Sequence, residues 1–204
     1  MIERDIRSRG VADERVLAAL RAVPREDFVL PEDRAEAYGD HPLPIGFGQT
    51  ISQPYIVAKM TEALALSGSE CVLEIGTGSG YQAAVLSRLA RTVHTVERIP
   101  ALHRAAKARL VRYENVRVHL ADGTEGLEAH SPYDAILVAA QSNEVPPALV
   151  RQSALGGRIV IPLGDRSSQE LVLLVRSERG GAWTRTRLDD VRFVPLRSGG
   201  IMGP

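Results

Sequence analysis

The residues with the clearest chemical potential lie between Val72 and Tyr81. The run Val72-Leu-Glu-Ile-Gly76-Thr-Gly78-Ser-Gly80-Tyr81 is an apolar stretch, a three-glycine turn and the start of a helical stretch. Glycine is required where the backbone turns sharply and a ligand must approach with no side chain between. Glu97 stands 21 residues after Gly76, at the end of the next apolar run. A carboxylate there accepts the hydroxyls of a ribose. Asp122-Gly123 follows the third such run, where an acid can accept from an adenine amino group. Taken alone, Asp-Gly is simply a common turn.

Two cofactor classes fit this constellation. Dinucleotide binders use G-x-G-x-x-G and aim a helix N-terminus at a pyrophosphate. Here the spacing is G-x-G-x-G, and the third dinucleotide glycine is replaced by Tyr81, too large for that close helix–strand contact. Glu74 also puts negative charge beside the turn. That is unwelcome to a pyrophosphate and suits the ammonium and sulfonium of S-adenosylmethionine.

Certain elements must position these residues. From Cys71 onward, apolar runs alternate with helical segments: strands at 71–75, 92–97, 116–120, 134–139 and 158–161, with helices at 81–91, 101–111 and 147–152. Such alternation predicts a parallel sheet with right-handed crossovers and helices on both faces. The runs 169–176 and 183–195 lack an intervening helix and predict an antiparallel pair at the edge, joined through Gly180-Gly181. Before Cys71, the chain reads as helical and irregular. Val16, Leu17 and Leu20 form one face of a helix, and a second helix spans about 55–66, stopping near Gly68. Between them, three Pro and two Gly from 42 to 54 forbid a regular helix.

Composition removes several classes. The 204 residues are 44% hydrophobic and 25% charged, an ordinary globular balance. Lys plus Arg equals Asp plus Glu at 25 each, and aromatics are only 4%, which argues against nucleic-acid binding through net charge or base stacking. No run approaches the roughly 18 apolar residues of a membrane span. The charged start, MIERDIRSRG, does not read as a signal peptide, and the lone Cys71 excludes an intrachain disulfide framework. A cytoplasmic protein is the expectation.

With those residues in view, the sequence resembles the protein-L-isoaspartate (D-aspartate) O-methyltransferase family. Pro42-Leu-Pro-Ile-Gly-Phe-Gly-Gln-Thr-Ile-Ser-Gln-Pro54 is similar to that family's own signature. Val23-Pro-Arg-Glu-Asp-Phe28, Val72-Leu-Glu-Ile-Gly-Thr-Gly-Ser-Gly-Tyr-Gln82, Pro132-Tyr-Asp-Ala-Ile136, Gly156-Gly-Arg-Ile-Val-Ile-Pro-Leu-Gly164 and Phe193-Val-Pro-Leu196 match its other motifs in order. Two departures stand out: Ala139-Ala140-Gln141-Ser142, where the family usually has Thr-Ala-Ala-Pro, and Ala121-Asp122-Gly123-Thr124 in place of Gly-Asp-Gly-Trp. They leave the substrate-side wall and the packing around adenine open.

The resemblance implies an α/β fold: one methyltransferase domain over 1–204 with a Rossmann-like, mostly parallel sheet and an antiparallel C-terminal edge. Residues 1–68 would form an N-terminal cap and substrate segment, and 69–204 the cofactor-binding core. It implies a repair enzyme that moves a methyl group from S-adenosylmethionine to the free α-carboxylate of L-isoaspartyl residues in damaged proteins and peptides. The product is S-adenosylhomocysteine. The ester then closes to a succinimide that opens partly to aspartate. The resemblance makes Ser52 the active-site residue. It assigns Thr50, Glu74, Gly76, Thr77, Gly78 and Gly80 to the cofactor, together with Glu97, Arg98, Asp122 and Gly123. Ile45, Gly46, Gln49, Ala139 and Ala140 would face substrate. No nucleic acid, membrane or obligatory protein partner is implied.

The substrate acid is ionised at pH 7, so no general base is needed. Ser52 then serves as a hydroxyl donor or lid residue rather than a nucleophile; its competing role is an ordinary helix N-cap. Isoaspartate differs in the main chain, so the 42–48 segment and the 139–144 loop are expected to offer backbone groups to an extended peptide. The five histidines lack H-x-x-x-H spacing, and no metal site is expected from it. His94 and His119 read as sheet residues, Cys71 as a core thiol, Trp183 as sheet packing, and Arg104, Lys107, Arg109 and Arg112 as a solvated helix face. Two other functions remain open: a different methyltransferase, and a cofactor-binding module without catalysis. Against a nucleic-acid amino methyltransferase, Ser131-Pro132-Tyr133 precedes its strand and lacks a second proline.

Overall fold

In the computed structural model, residues 1–201 are described. The apolar runs become strands β3 (Cys71–Ile75), β4 (Thr92–Glu97), β5 (Val116–Leu120), β6 (Tyr133–Val138) and β7 (Ser153–Gly164). They form one sheet in the order β5-β4-β3-β6-β7, all parallel. Strands β8 (Gln169–Arg176) and β9 (Trp183–Asp190) extend it antiparallel to make seven. The chain order reverses between β3 and β6. At such a switch point, loops leaving the carboxyl ends of the strands part and open a crevice.

Both faces of the sheet are covered. On one face, Val72, Val93, Ala135, Leu137 and Val160 pack with α3 (Tyr81–Leu86), α4 (Pro100–Leu110) and the N-terminal helices α1 (Glu14–Ala22) and α2 (Pro54–Ala63). On the other face, Leu73, Ile75, Val96, Ile136, Val138 and Ile159 close a second core with Leu149 of α5 (Pro147–Gln152). Full burial of each Val, Leu or Ile side chain among these is worth about 1.5–3 kcal/mol. The N-terminal segment therefore shares its core with the sheet.

Several boundaries differ from the sequence expectation. The helix expected over 81–91 ends at Leu86, and turns carry the chain to β4. The strand expected over 158–161 runs from 153 to 164, passing Gly156-Gly157 through an irregularity in its pairing with β6. The last strand ends at Asp190, short of Pro195, because residues 191–197 leave the sheet for the crevice. The irregular stretch before α2 contains an unforeseen hairpin, β1 (Leu43–Gly46) with β2 (Gln49–Ile51). Phe47 at its tip has φ of +55°. No helix among the described residues is long and apolar enough to cross a membrane.

Candidate active site

The crevice is a cavity of about 400 Å3 beyond the carboxyl ends of β3 and β4. Gly76, Thr77 and Gly78 form its floor. Gly76 (φ +93°) and Gly78 (φ +53°) adopt conformations that favour glycine, and a Cβ on Gly78 would stand 3.2 Å from Ile45 Cδ1. The turn's amides are already engaged. The N–H groups of Gly76 and Thr77 both donate to Val96 O, that of Gly78 to Glu97 Oε2 at 2.9 Å, and that of Gly80 to Thr77 O. A pyrophosphate needs free amide donors, and those four are bound to protein acceptors.

Glu97 is buried to 6% exposure and lines the cavity. Its Oε1 accepts the Ile99 N–H at 2.9 Å, so each carboxylate oxygen holds one backbone donor and keeps one lone pair for a ligand. That fits a vicinal diol. Thr50, Arg98 and Gly123, read as cofactor residues, also line the cavity, and so do Ser52 and three residues read as facing substrate, Gln49, Ala139 and Ala140.

Five expected residues lie elsewhere. Glu74 is fully buried beneath the turn, outside the cavity lining, and accepts from the Thr95 hydroxyl at 2.5 Å while its Oε1 has no partner. Burial pushes its carboxyl up to about 8, the Thr95 hydrogen bond opposing and Glu97 adding to the rise. It therefore sits protonated at neutral pH and offers no charge to a ligand. Asp122 is not among the residues that line the cavity, although Gly123 beside it is. Its Oδ1 accepts from the amide and hydroxyl of Thr124, and its Oδ2 from the amides of Gly199 and Gly200 at 2.9 and 3.0 Å. The adenine amino role assigned to Asp122 is thus taken by the chain's own residues. Gly80 caps α3 against Leu110. Ile45 covers the glycine turn rather than facing a peptide, and Gly46 serves the hairpin bend.

Glu74→Gln tests the buried acid. The folded carboxyl holds its proton up to about pH 8 and the unfolded one only to about 4.5, so stability falls as pH rises through that window. The glutamine variant should lack this part of the slope. Thermal melts from pH 5 to 9 that fall alike in both proteins would show the acid is not buried as described.

Ser52 precedes α2 but does not cap it. The helix begins at Pro54 with Gln53 as N-cap, and that residue's side chain makes no capping bond. Asp40 serves instead: Oδ1 accepts the Tyr55 N–H at 3.0 Å, and Oδ2 accepts from Gln53 Nε2 at 2.8 Å and Arg9 at 2.9 Å. The Ser52 side chain is thereby left to the cavity. Asp40→Ala should lower stability by about 0.5–2 kcal/mol, the usual effect of a lost cap. It should also loosen the segment that presents Ser52, which a fall in kcat without change in cofactor affinity would report.

A second depression, of about 430 Å3, lies on the other side of Ser52. Arg9, Pro42, Gln53, Ile56 and residues 190–193 line it. The two share Thr50, Ser52, Ala139 and Val194 as a common wall. Among the described residues, cavity and groove together contain no histidine, and their only carboxylates are Glu97 and Asp190. Ser52 therefore has no base beside it to make it a nucleophile. Several backbone groups of the 139–144 loop are already used: the Gln141 N–H donates to Val194 O, Gln141 O accepts from the Leu196 N–H, and the Ser142 N–H donates to Pro162 O.

Sequence reasoning missed Phe47, 62% exposed at the cavity mouth, and Val194–Arg197, which form another wall. The Phe193-Val-Pro-Leu196 motif was visible without a role. It also missed a meeting of His94, His119 and His130, since strand register rather than sequence spacing unites them.

Comparison with known proteins now bears on this geometry. The family model described as protein-L-isoaspartate(D-aspartate) O-methyltransferase matches residues 1–200. A protein-L-isoaspartate O-methyltransferase 2 from Pelobacter propionicus is 54% identical over 96% of the chain and 88% of its own length. A protein-L-isoaspartate O-methyltransferase from Burkholderia pseudomallei is 52% identical over 98% of the chain, which spans only 63% of that relative. A solved structure from Plasmodium falciparum, whose name assigns it to the same enzyme type and which is in complex with S-adenosyl-L-homocysteine, superimposes with a TM-score of 0.79. It is 24% identical and covers 94% of each chain.

Proposed function

The chain belongs to the protein-L-isoaspartate(D-aspartate) O-methyltransferase family, and from that membership we propose how cavity and groove divide a protein-repair methyl transfer. The reaction moves a methyl group from S-adenosylmethionine to the free α-carboxylate of an L-isoaspartyl residue. The residues present fit this cofactor. The cavity volume is in the usual small-ligand range of roughly 300–1,000 Å3, the glycine floor admits close approach, and Glu97 retains the two lone pairs a ribose diol requires. Gly76, Thr77 and Gly78 would lie under it, with Arg98, Gly123 and Val194–Arg197 around it. When bound, it supplies an electrophilic methyl on a sulfonium, already a good leaving group.

The groove takes the peptide. Arg192 gives its wall a guanidinium for a carboxylate, beside Asp190 and the Arg9–Asp40 ion pair. That carboxylate is ionised at neutral pH, so the absence of histidine from the two linings costs the reaction nothing. The protein's task is alignment. The Ser52 hydroxyl donates to one carboxylate oxygen and leaves the other directed through the shared wall. Holding reactants in line lowers a barrier by up to about 7–11 kcal/mol. Thr50 and Ala139 frame the passage, and Phe47 with Gln49 closes the mouth to water. The observation that carries this reading is the shared wall at Ser52. Isoaspartyl proteins and peptides are its partners, met in the cytoplasm.

Radiolabelled methyl transfer to an aged peptide, with the aspartyl isomer as control, is the test. Transfer to the isoaspartyl form alone is expected. Equal labelling of both isomers would defeat the substrate assignment, and cofactor binding without transfer would favour a non-catalytic module.

A further inference from the structure

Three histidines outside the methyl-transfer site converge on the face of the sheet that carries the second core. His94 is the third residue of β4 and His119 the fourth of β5. The parallel register sets His94 against Arg117 and Val96 against His119, so both imidazoles project from one face. His130 reaches them from the short turn Glu128–His130. Its ring stacks on that of His94 with centroids 4.2 Å apart, and His94 Nδ1 lies 3.1 Å from His119 Nε2. One nitrogen from each ring falls within 4.8 Å of the others.

We propose that His94, His119 and His130 bind one divalent transition cation of the zinc class, with water completing the coordination. Zinc–imidazole bonds of about 2.0–2.1 Å in a tetrahedron separate ligand nitrogens by roughly 3.3 Å. His94 and His119 are already at that spacing. The exposed His130 has only to swing out of its stack, and the three-residue turn that carries it lies at the surface.

The protonation state suits a cation. Burial pushes His94 down to about 4, with His130, His119 and Arg117 adding to the fall. Burial also lowers His119, with His130, His103 and Arg117 contributing. Both shifts run toward the neutral imidazole that a metal ligand must be. The neighbouring Arg117 guanidinium is turned to the carbonyls of Glu114 and Val116. No carboxylate among the described residues belongs to the cluster, which selects imidazole-preferring metals over calcium or magnesium.

The position gives the cation a structural consequence. It would strap the turn before β6 to β4 and β5. Glu97 lies three residues beyond His94, about 10 Å along the strand, so the cation would sit behind the cofactor cavity and apart from it.

The test uses the full chain, stripped with chelator and titrated with Zn2+ by calorimetry, with Co2+ absorption as a geometry probe. One equivalent is expected to bind with a dissociation constant below about 10 µM and to raise the melting temperature. His130→Ala, an exposed change outside the methyl-transfer machinery, should weaken binding by about 10–100-fold and leave methyl transfer unchanged. His119→Asn should do the same, and His41→Ala should have no effect. Absence of binding at 100 µM Zn2+, or binding that persists in His130→Ala, would overturn the proposal.

Discussion

Glu97→Ala should weaken S-adenosylhomocysteine binding by a hundredfold or more. The carboxylate does two things at once. It accepts from the Gly78 and Ile99 amides, and in the proposed reading its remaining lone pairs accept from a ribose. Its removal leaves two amides without partners at a buried position, each worth about 1–3 kcal/mol. It also unbraces the glycine turn that forms the cavity floor. The two ribose hydroxyls that would bond to the carboxylate are each worth about 1.5–3 kcal/mol, and even the lower sum of that pair, about 3 kcal/mol, corresponds to a factor of about a hundred. Glu97→Gln should fall between, since an amide nitrogen cannot accept from either backbone N–H. Calorimetric titration measures both; affinity within threefold of the parent would remove Glu97 from the binding site.

Ser52→Ala should act on the other half of the reaction. Catalytic efficiency with an isoaspartyl peptide should drop about 10–100-fold, the range for losing one hydrogen bond to a charged group at about 1.5–3 kcal/mol. S-Adenosylhomocysteine affinity should stay within twofold, because Ser52 sits at the wall between groove and cavity and not on the glycine floor. Stability should barely change, since the capping of α2 belongs to Asp40. Unchanged efficiency would take Ser52 out of the reaction.

The legible part of this protein was whatever depends on neighbours in the chain. Strands β3 to β6 follow from apolar runs, and the glycine turn from three glycines that accept positive φ. Glu97 was readable because it ends the strand that pairs with β3. Glu74 was misread because its position on one strand says nothing about depth. Only the packing of β4 and β6 on either side of β3 shows that its carboxyl is sealed among Thr95 and apolar neighbours. Asp122 was misread for a related reason. Its partners, Gly199 and Gly200, lie more than 70 residues away and belong to no repeating pattern. The hairpin at 43–51 escaped because proline and glycine argue against helix without saying what replaces it.

Strand β9 ends the sheet with an unpaired edge. Arg185 and Arg187 project from it and pair with Glu170, while Asp189 is tied to Tyr55. An open edge invites other chains to add themselves as an eighth strand, and charges along it are the usual deterrent. With that edge guarded by charge, the groove beside Ser52, and not an added eighth strand, is where the proposed reading seats a peptide.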